Sequence, residues 1–262
     1  MPKKATYVFC VIAATRRPRV SAKLRTLAGL GPVRLLDVER GMYLAVAHAE
    51  LRQFGEAAIT RGLADLEWVS RAAVAHEAVV ESFISATAIL PMKLFTIFTS
   101  DARALEHIAS HRARIASLVR RVAHHQEWGV RLILDRTAAE RAAASSAGTA
   151  RRASTARAPG VAYLTRKKAQ RDAAVELASR ARETVAGLYD RLDAQSTHAR
   201  RRSASELPVQ GGPLLLEAAF LVPRTRATSF KALAAREARA LSRQGYRMTV
   251  SGPWPPYTFV QD

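Results

Sequence analysis

Val33-Arg34-Leu35-Leu36-Asp37-Val38-Glu39-Arg40-Gly41-Met42-Tyr43-Leu44-Ala45-Val46-Ala47 reads as two short strands joined by a tight turn. Val33 to Val38 and Met42 to Ala47 are rich in residues that suit a pleated surface, and Glu39-Arg40-Gly41 has the length and glycine of a hairpin connection. Upstream, Tyr7 to Ala13 predicts an opening strand that ends where Thr15-Arg16-Arg17-Pro18 breaks it, and Gly29-Leu30-Gly31-Pro32 predicts a turn. Downstream, Leu51 to Ile59 predicts a short helix. From Asp65 onward, Leu66, Val69, Ala73, His76, Val80 and Phe83 recur at steps of three and four, the spacing of one apolar helix face. Ile89 to Phe98 is apolar but holds Pro91, which has no N–H to give a ladder, so the strand is expected to break there or lie at an edge. Asp101 is expected to cap a helix reaching His124, with Leu105, Ile108, Ile115, Leu118 and Val122 on its apolar face. Trp128 to Leu134 reads as a strand. This order segregates helices onto one side of a largely antiparallel sheet, which is the α+β class, and residues 1–135 are expected to form the first domain.

Residues 136–159 combine Ala, Ser, Thr and Arg with almost no large apolar side chain, too little to offset the entropy of ordering, and are expected to be a basic linker. A second α+β domain is expected over 160–262. It opens with a long, coiled-coil-like helix from Ala162 to about Arg202, with a narrow seam at Val175, Ala178, Ala181, Val185, Leu188 and Leu192. Leu214 to Val222 reads as a buried strand, Ser229 to Gln244 as a helix with Gly245 past its end, and Tyr246 to Val250 as a last strand. The chain closes on Ser251-Gly252-Pro253-Trp254-Pro255-Pro256-Tyr257-Thr258-Phe259-Val260. Its three prolines predict an extended segment that presents Trp254, Tyr257 and Phe259 with little entropy left to lose, docked on its own domain and with edges free for a partner.

The formal charge is +19, of which residues 1–135 carry +7 and residues 136–262 carry +12. Residues 136–168 alone hold eight basic side chains against the single acid Glu140. Such a stretch, with the long helix, could hold phosphates without reading bases; it contains no aromatic between 136 and 159 on which a base could stack. Specific nucleic-acid binding is not expected. A lone Cys10 excludes a disulfide framework, no apolar run approaches the twenty residues of a membrane span, and a cytoplasmic protein is expected.

The usual catalytic constellations are missing from the chain: there is no phosphate loop ending in Gly-Lys-Ser/Thr, no Gly-x-Ser-x-Gly and no dinucleotide fingerprint. His107 and His111 lie one helical turn apart, a spacing that can chelate a metal, but without Glu between them in the His-Glu-x-x-His position they read as solvated helix histidines. His124 and His125 are read as helix-end residues that favour the carbonyl dipole. His76 falls within an apolar stripe and reads as a hydrogen-bonded histidine at a core rim more readily than as a general base. No catalytic residue, metal or cofactor is expected.

Several blocks, in order, resemble the GvpL/GvpF family of gas vesicle proteins. They are Tyr7-Val8-Phe9; Leu66-Glu67-Trp68 with His76, Val79 and Val80; Ile89-Leu90-Pro91-Met92-Lys93; Glu127-Trp128-Gly129-Val130; Gly160-Val161-Ala162-Tyr163-Leu164; Leu216 to Val222; and the ending from Gly252 to Val260. In one respect the chain departs from the family. Where members continue Leu-Pro-Leu-Arg with Phe-Gly-Thr, this sequence reads Leu94-Phe95-Thr96, so a bulky residue stands in place of glycine. The resemblance implies two α+β domains, the first like a modified ferredoxin fold. It also implies a noncatalytic assembly factor or minor component located at the gas vesicle, whose partners are the hydrophobic shell protein and other accessory proteins. A protein that handles a very apolar subunit needs rigid apolar surface, for which Leu90, Pro91, Lys93, Phe95, Trp254, Tyr257 and Phe259 are the candidates.

Overall fold

The computed structural model describes residues 4–22, 24–135, 138, 159–202 and 212–260. Two compact units divide the chain: residues 1–127 with 253–262, and residues 128–252.

In the first unit β1 (Lys4–Ala13) pairs antiparallel with β3 (Met42–Glu50), which pairs in turn with β2 (Arg34–Glu39). The hairpin turn is two residues, with Gly41 at φ +79°, backbone that an L side chain resists. On its other side β1 pairs antiparallel with β4 (Ala88–Pro91) and then with β5 (Ile97–Phe98), so the apolar run is broken after Pro91 as its proline requires. The path through the sheet is β2-β3-β1-β4.

Helices α1 (Leu51–Phe54) and α2 (Glu56–Gly62) split at Gly55, and α3 (Leu66–Glu81) begins where the Asp65 side chain accepts from the N–H groups of Glu67 and Trp68. The buried face of α3 is Ala72, His76, Val79 and Val80, whereas Leu66 is 79% exposed and leaves the predicted stripe. The single helix expected from Asp101 to His124 is two, α4 (Asp101–Ser110) and α5 (Arg112–Val122), broken at His111. Ser100, not Asp101, caps α4 by accepting from the Arg103 N–H at 3.3 Å. The Asp101 carboxylate instead takes both arms of Arg34 at 2.7 Å and the Thr6 hydroxyl at 2.6 Å, and the Arg34 hydrogen bonds hold it below the usual carboxylate range. The core of this unit joins Tyr7, Phe9 and Ile12 of β1 with Tyr43, Phe54, Val79, Val80 and Ile89.

In the second unit β6 (His125–Leu134), whose first residues still belong to the first unit, lies in a sheet of order β7-β8-β6-β9, with β7 (His198–Arg201), β8 (Leu214–Pro223) and β9 (Tyr246–Trp254). Trp128, Val130, Leu132 and Leu134 alternate along β6 into one core with Leu216, Ala218, Phe220 and Val222 of β8. The long helix Pro159–Asp193 adds Ala181, Leu188 and Leu192, and the helix Ala227–Ser242 adds Phe230, Ala234 and Leu241. A forked ion pair joins these helices, Arg191 to Glu237 at 3.1 and 2.9 Å.

Four further expectations change. The first domain does not end at 135, because the strand Trp128 to Leu134 contributes its alternating face to the second core. The long helix stops at Asp193, and His198 to Arg201 is a strand paired antiparallel with β8. The seam narrows to Ala181, Leu188 and Leu192, while Val175 is 64% exposed. The terminal segment belongs to the first unit, not to the second domain. The expected linker lies outside the described residues except at Ala138 and Pro159.

Candidate partner-binding site

The stretch between β4 and β5 is an excursion from one continuous edge of β1. Met92 N–H donates to the Phe9 carbonyl at 2.9 Å and Val8 N–H to the Thr96 carbonyl at 2.9 Å, so the ladder resumes on both sides of a tight turn. Within it the Thr96 N–H and hydroxyl both donate to the Lys93 carbonyl, at 3.1 and 2.7 Å. Phe95 takes φ +63°, the left-handed region that favours glycine. Its ring stacks on Trp68 with centroids 5.0 Å apart and planes at 11°, and its N–H donates to the Tyr7 hydroxyl at 3.2 Å. That hydroxyl also bonds His76 Nδ1 at 2.9 Å. Burial pushes the Tyr7 phenol up to about 12 and the His76 imidazole down to about 4. A backbone contact with Met92 opposes the second shift, although Nε2 reaches no partner in hydrogen-bonding geometry. His76 is therefore a neutral core histidine that holds the turn in place through Tyr7.

On the other side of the excursion lies a groove of about 450 Å³. Val11, Leu90 and Pro91 of the sheet, Ile108, Ile115 and Leu118 of α4 and α5, and Val260 form its apolar walls; Lys93, His107, His111 and Arg114 also line it. The walls are stiff, because β4 is fixed to β1 by strand pairing and Ile108, Ile115 and Leu118 are rooted in the core. The His107 and His111 rings lie 4.4 Å apart, and the described residues contain no group of three or more side chains that could hold a metal ion. Burial, then the charge of His111, lowers the His107 pKa. A larger hollow of about 900 Å³ in the second unit is lined by Leu177, Ala181 and Val185 of the long helix with Leu134, Arg201 and Leu215 of the sheet.

The terminal segment supplies one wall of this groove. Trp254 ends β9, and Tyr257–Val260 forms a turn of helix rather than the expected extended strip. The turn is pinned by Glu127, which is 4% exposed and accepts from the Thr258 N–H at 2.7 Å and hydroxyl at 2.6 Å, acting as a side-chain cap supplied by a strand. Phe259 is 1% exposed, and its carbonyl accepts from Arg121 at 3.4 Å. Tyr257 is half-buried against the first core; burial and then the charge of Glu77 push its phenol pKa up. The candidates thus separate. Leu90, Pro91 and Lys93 meet in the groove; Phe95 faces Trp68 instead; Trp254 and Tyr257 keep part of their surface; Phe259 is core. His107, His111, Arg114 and Ile115 were not foreseen as site residues, although Ile108 and Ile115 stood on the predicted apolar face beside the histidine pair.

The family model described as Gas vesicle synthesis protein GvpL/GvpF matches residues 5–261. The chain belongs to the GvpL/GvpF family. Gas vesicle protein L of Streptomyces sp. (strain CB03234) is 31% identical over 237 residues, covering 88% of this chain and 85% of that one. The fold is that of two crystal structures. GvpF from Anabaena sp. PCC7120 superposes with a TM-score of 0.64 at 16% identity, covering 99% of this chain and 97% of its own. GvpF from Microcystis aeruginosa superposes with a TM-score of 0.63 at 14% identity, covering 98% and 99%. In this GvpL/GvpF member, no described helix is long and apolar enough to cross a membrane.

Proposed function

We propose that the protein is a noncatalytic gas vesicle assembly factor or minor vesicle component that contacts the hydrophobic shell protein and limits its aggregation during nucleation. Membership of the family supports the process, and the stiff apolar groove beside Leu90, Pro91 and Lys93 is the observation that supports contact with an apolar subunit. A preformed cleft binds without first ordering its own side chains. On this reading the protein acts at the vesicle, together with other vesicle accessory proteins, and needs no cofactor. Both sheets follow one strand order, second-third-first-fourth within each unit, and we read each as ferredoxin-like, the first unit with a loop where the first crossover helix would stand.

Co-purification with the shell subunit tests the role. The intact protein should retain that subunit and delay its aggregation, and Met92→Glu, which places a charge in the groove on a half-buried position, should lose both while its thermal unfolding stays cooperative. Unaltered aggregation of the shell subunit in the presence of the intact protein would sink the proposal. Deleting residues 253–262 is the poorer probe, because it removes a wall of the first unit.

A further inference from the structure

The helix Ala227–Ser242 of the second unit buries Phe230, Ala234, Glu237 and Leu241 and leaves its opposite face in water. Along that face Thr228, Ala232, Ala235, Arg239 and Ser242 are exposed and follow one another at steps of four, three, four and three, the seam of a heptad pattern. Lys231 lies on one flank of the seam and Arg236 and Arg243 on the other, all three exposed. The face carries no acid. Glu237 is the one carboxylate of the helix, and it is 9% exposed and committed to Arg191. Helices α3 and α4 and the long helix instead set exposed arginines against acids of their own, as Glu67–Arg71, Arg103–Glu106 and Glu176–Arg180. Lys231, Arg236, Arg239 and Arg243 have no carboxylate partner among the described residues. Arg239 stands one turn from both Arg236 and Arg243, two like-charge pairs that mildly destabilise the helix. The helix dipole accounts for Arg239 and Arg243 at the C-terminal end but not for Lys231 near the other.

We propose that this face docks an acidic helix of a partner protein, its small side chains letting the two backbones approach and its flanking cations pairing with Asp or Glu of the incoming helix. The charge decides the occupant. A second copy of this chain would set Lys231, Arg236 and Arg243 against their own kind, so self-association through this face is disfavoured. A nucleic acid would meet the same cations, yet the face offers no aromatic on which a base could stack. Small residues at heptad spacing suit the surface of a second helix instead. The docking face is also held in place: Phe230 and Leu241 root the helix in the second core, and the Arg191–Glu237 fork ties it to the long helix. From Lys231 to Arg243 the cations span about 18 Å of helix axis, which a partner segment of about three heptads covers. This surface lies on the second unit, so the inference goes beyond the assembly role and does not rest on the groove.

The test uses the full-length protein and two blocked probe peptides of three heptads, with Ala and Leu on the seam and Glu at the flanking positions of one, Lys at those of its twin. Exposed ion pairs to Lys231, Arg236 and Arg243 should favour the Glu peptide by about tenfold in Kd at low salt, and about 0.5 M salt should remove most of that preference. Its binding should move the Ala232 and Ala235 methyl resonances. The triple variant Lys231→Glu, Arg236→Glu, Arg243→Glu should reverse the preference. The milder Lys231→Gln, Arg236→Gln, Arg243→Gln should abolish it, and both should keep the thermal midpoint of the native chain. Equal affinity for both peptides, or shifts confined to other parts of the chain, would overturn the proposal. So would random-sequence duplex DNA moving these methyls where the Glu peptide does not, or a dimer in sedimentation that the charge reversal dissociates. Failure here leaves the assembly reading standing, because shell-subunit retention is scored by Met92→Glu in the groove of the other unit.

Discussion

Phe95 holds a left-handed backbone without the freedom of glycine, and that conformation has a cost. A non-glycine residue at φ +63° gives up about 1–2 kcal/mol relative to its relaxed conformation, and a stacked aromatic contact such as the one with Trp68 returns about 0.5–1.5 kcal/mol. Phe95→Ala keeps the strained backbone and loses the stack, while Phe95→Gly loses the stack and relieves the strain. The glycine variant should therefore be the more stable of the two by roughly 0.5–1 kcal/mol in urea unfolding. An alanine variant equal to or more stable than the glycine variant would show that the left-handed conformation carries no strain. His76, beneath the same turn, gives a pH signature. Its folded pKa of about 4 lies below the ordinary 6.5, so the unfolded chain binds the proton more readily between those values. The stabilisation is fully present above pH 6.5, declines as pH falls, and is gone below about 4; its full size is on the order of 3 kcal/mol. Urea midpoints between pH 7 and 4.5 should fall more steeply for the native sequence than for His76→Gln. The core position of His76 was legible from its place in the stripe; its bond to Tyr7 was not, because 69 residues separate the two.

Elements were legible where periodicity was local and boundaries where turn chemistry was strong. The hairpin around Gly41 and the break after Pro91 follow directly from residue type. The break of the helix at His111 was not legible, because the apolar positions on both sides keep a helical spacing and nothing in His111 forbids helix. The terminal segment shows the limit most plainly. Its prolines predicted extended structure throughout, yet after Pro256 the chain folds into one helical turn because a buried carboxylate from another element caps it. Such a short helix cannot form from propensity alone. Thr258→Val removes a hydroxyl bond to a charged acceptor and should destabilise the first unit by roughly 1.5–3 kcal/mol. Glu127→Ala should cost more, since it also strips the Thr258 N–H of its partner. Denaturation of both variants, with amide exchange read at Tyr257–Val260, checks the order; equal stability of Thr258→Val and the native chain would mean that the clamp contributes nothing.

At the scale of the molecule, two sheets share one strand order, and the two divisions of the chain fall inside strands, at β6 and near the end of β9. Domain boundaries placed by composition at 135 and 160 followed a real change in amino-acid content, yet the structural units do not follow it. A strand whose side chains alternate states which face is buried but not which partner it will pair with, for any sheet edge satisfies its backbone equally well. The alternation of Trp128, Val130, Leu132 and Leu134 was readable; its membership of the second core was not. The same holds for the groove. Ile108, Ile115, Leu90 and Val260 come from four separate stretches, and only their packing makes them one surface.

The α+β class, the hairpin, the broken strand at Pro91 and the family itself follow from the order of residues along the chain, because each depends on neighbours within a few positions or on a recognisable succession of blocks. The assignment of the terminal segment to the first unit, the left-handed turn at Phe95 and the assembly of the groove from separate stretches depend on which distant residues meet. Those meetings follow from burial and pairing summed over the whole chain, which no local window contains.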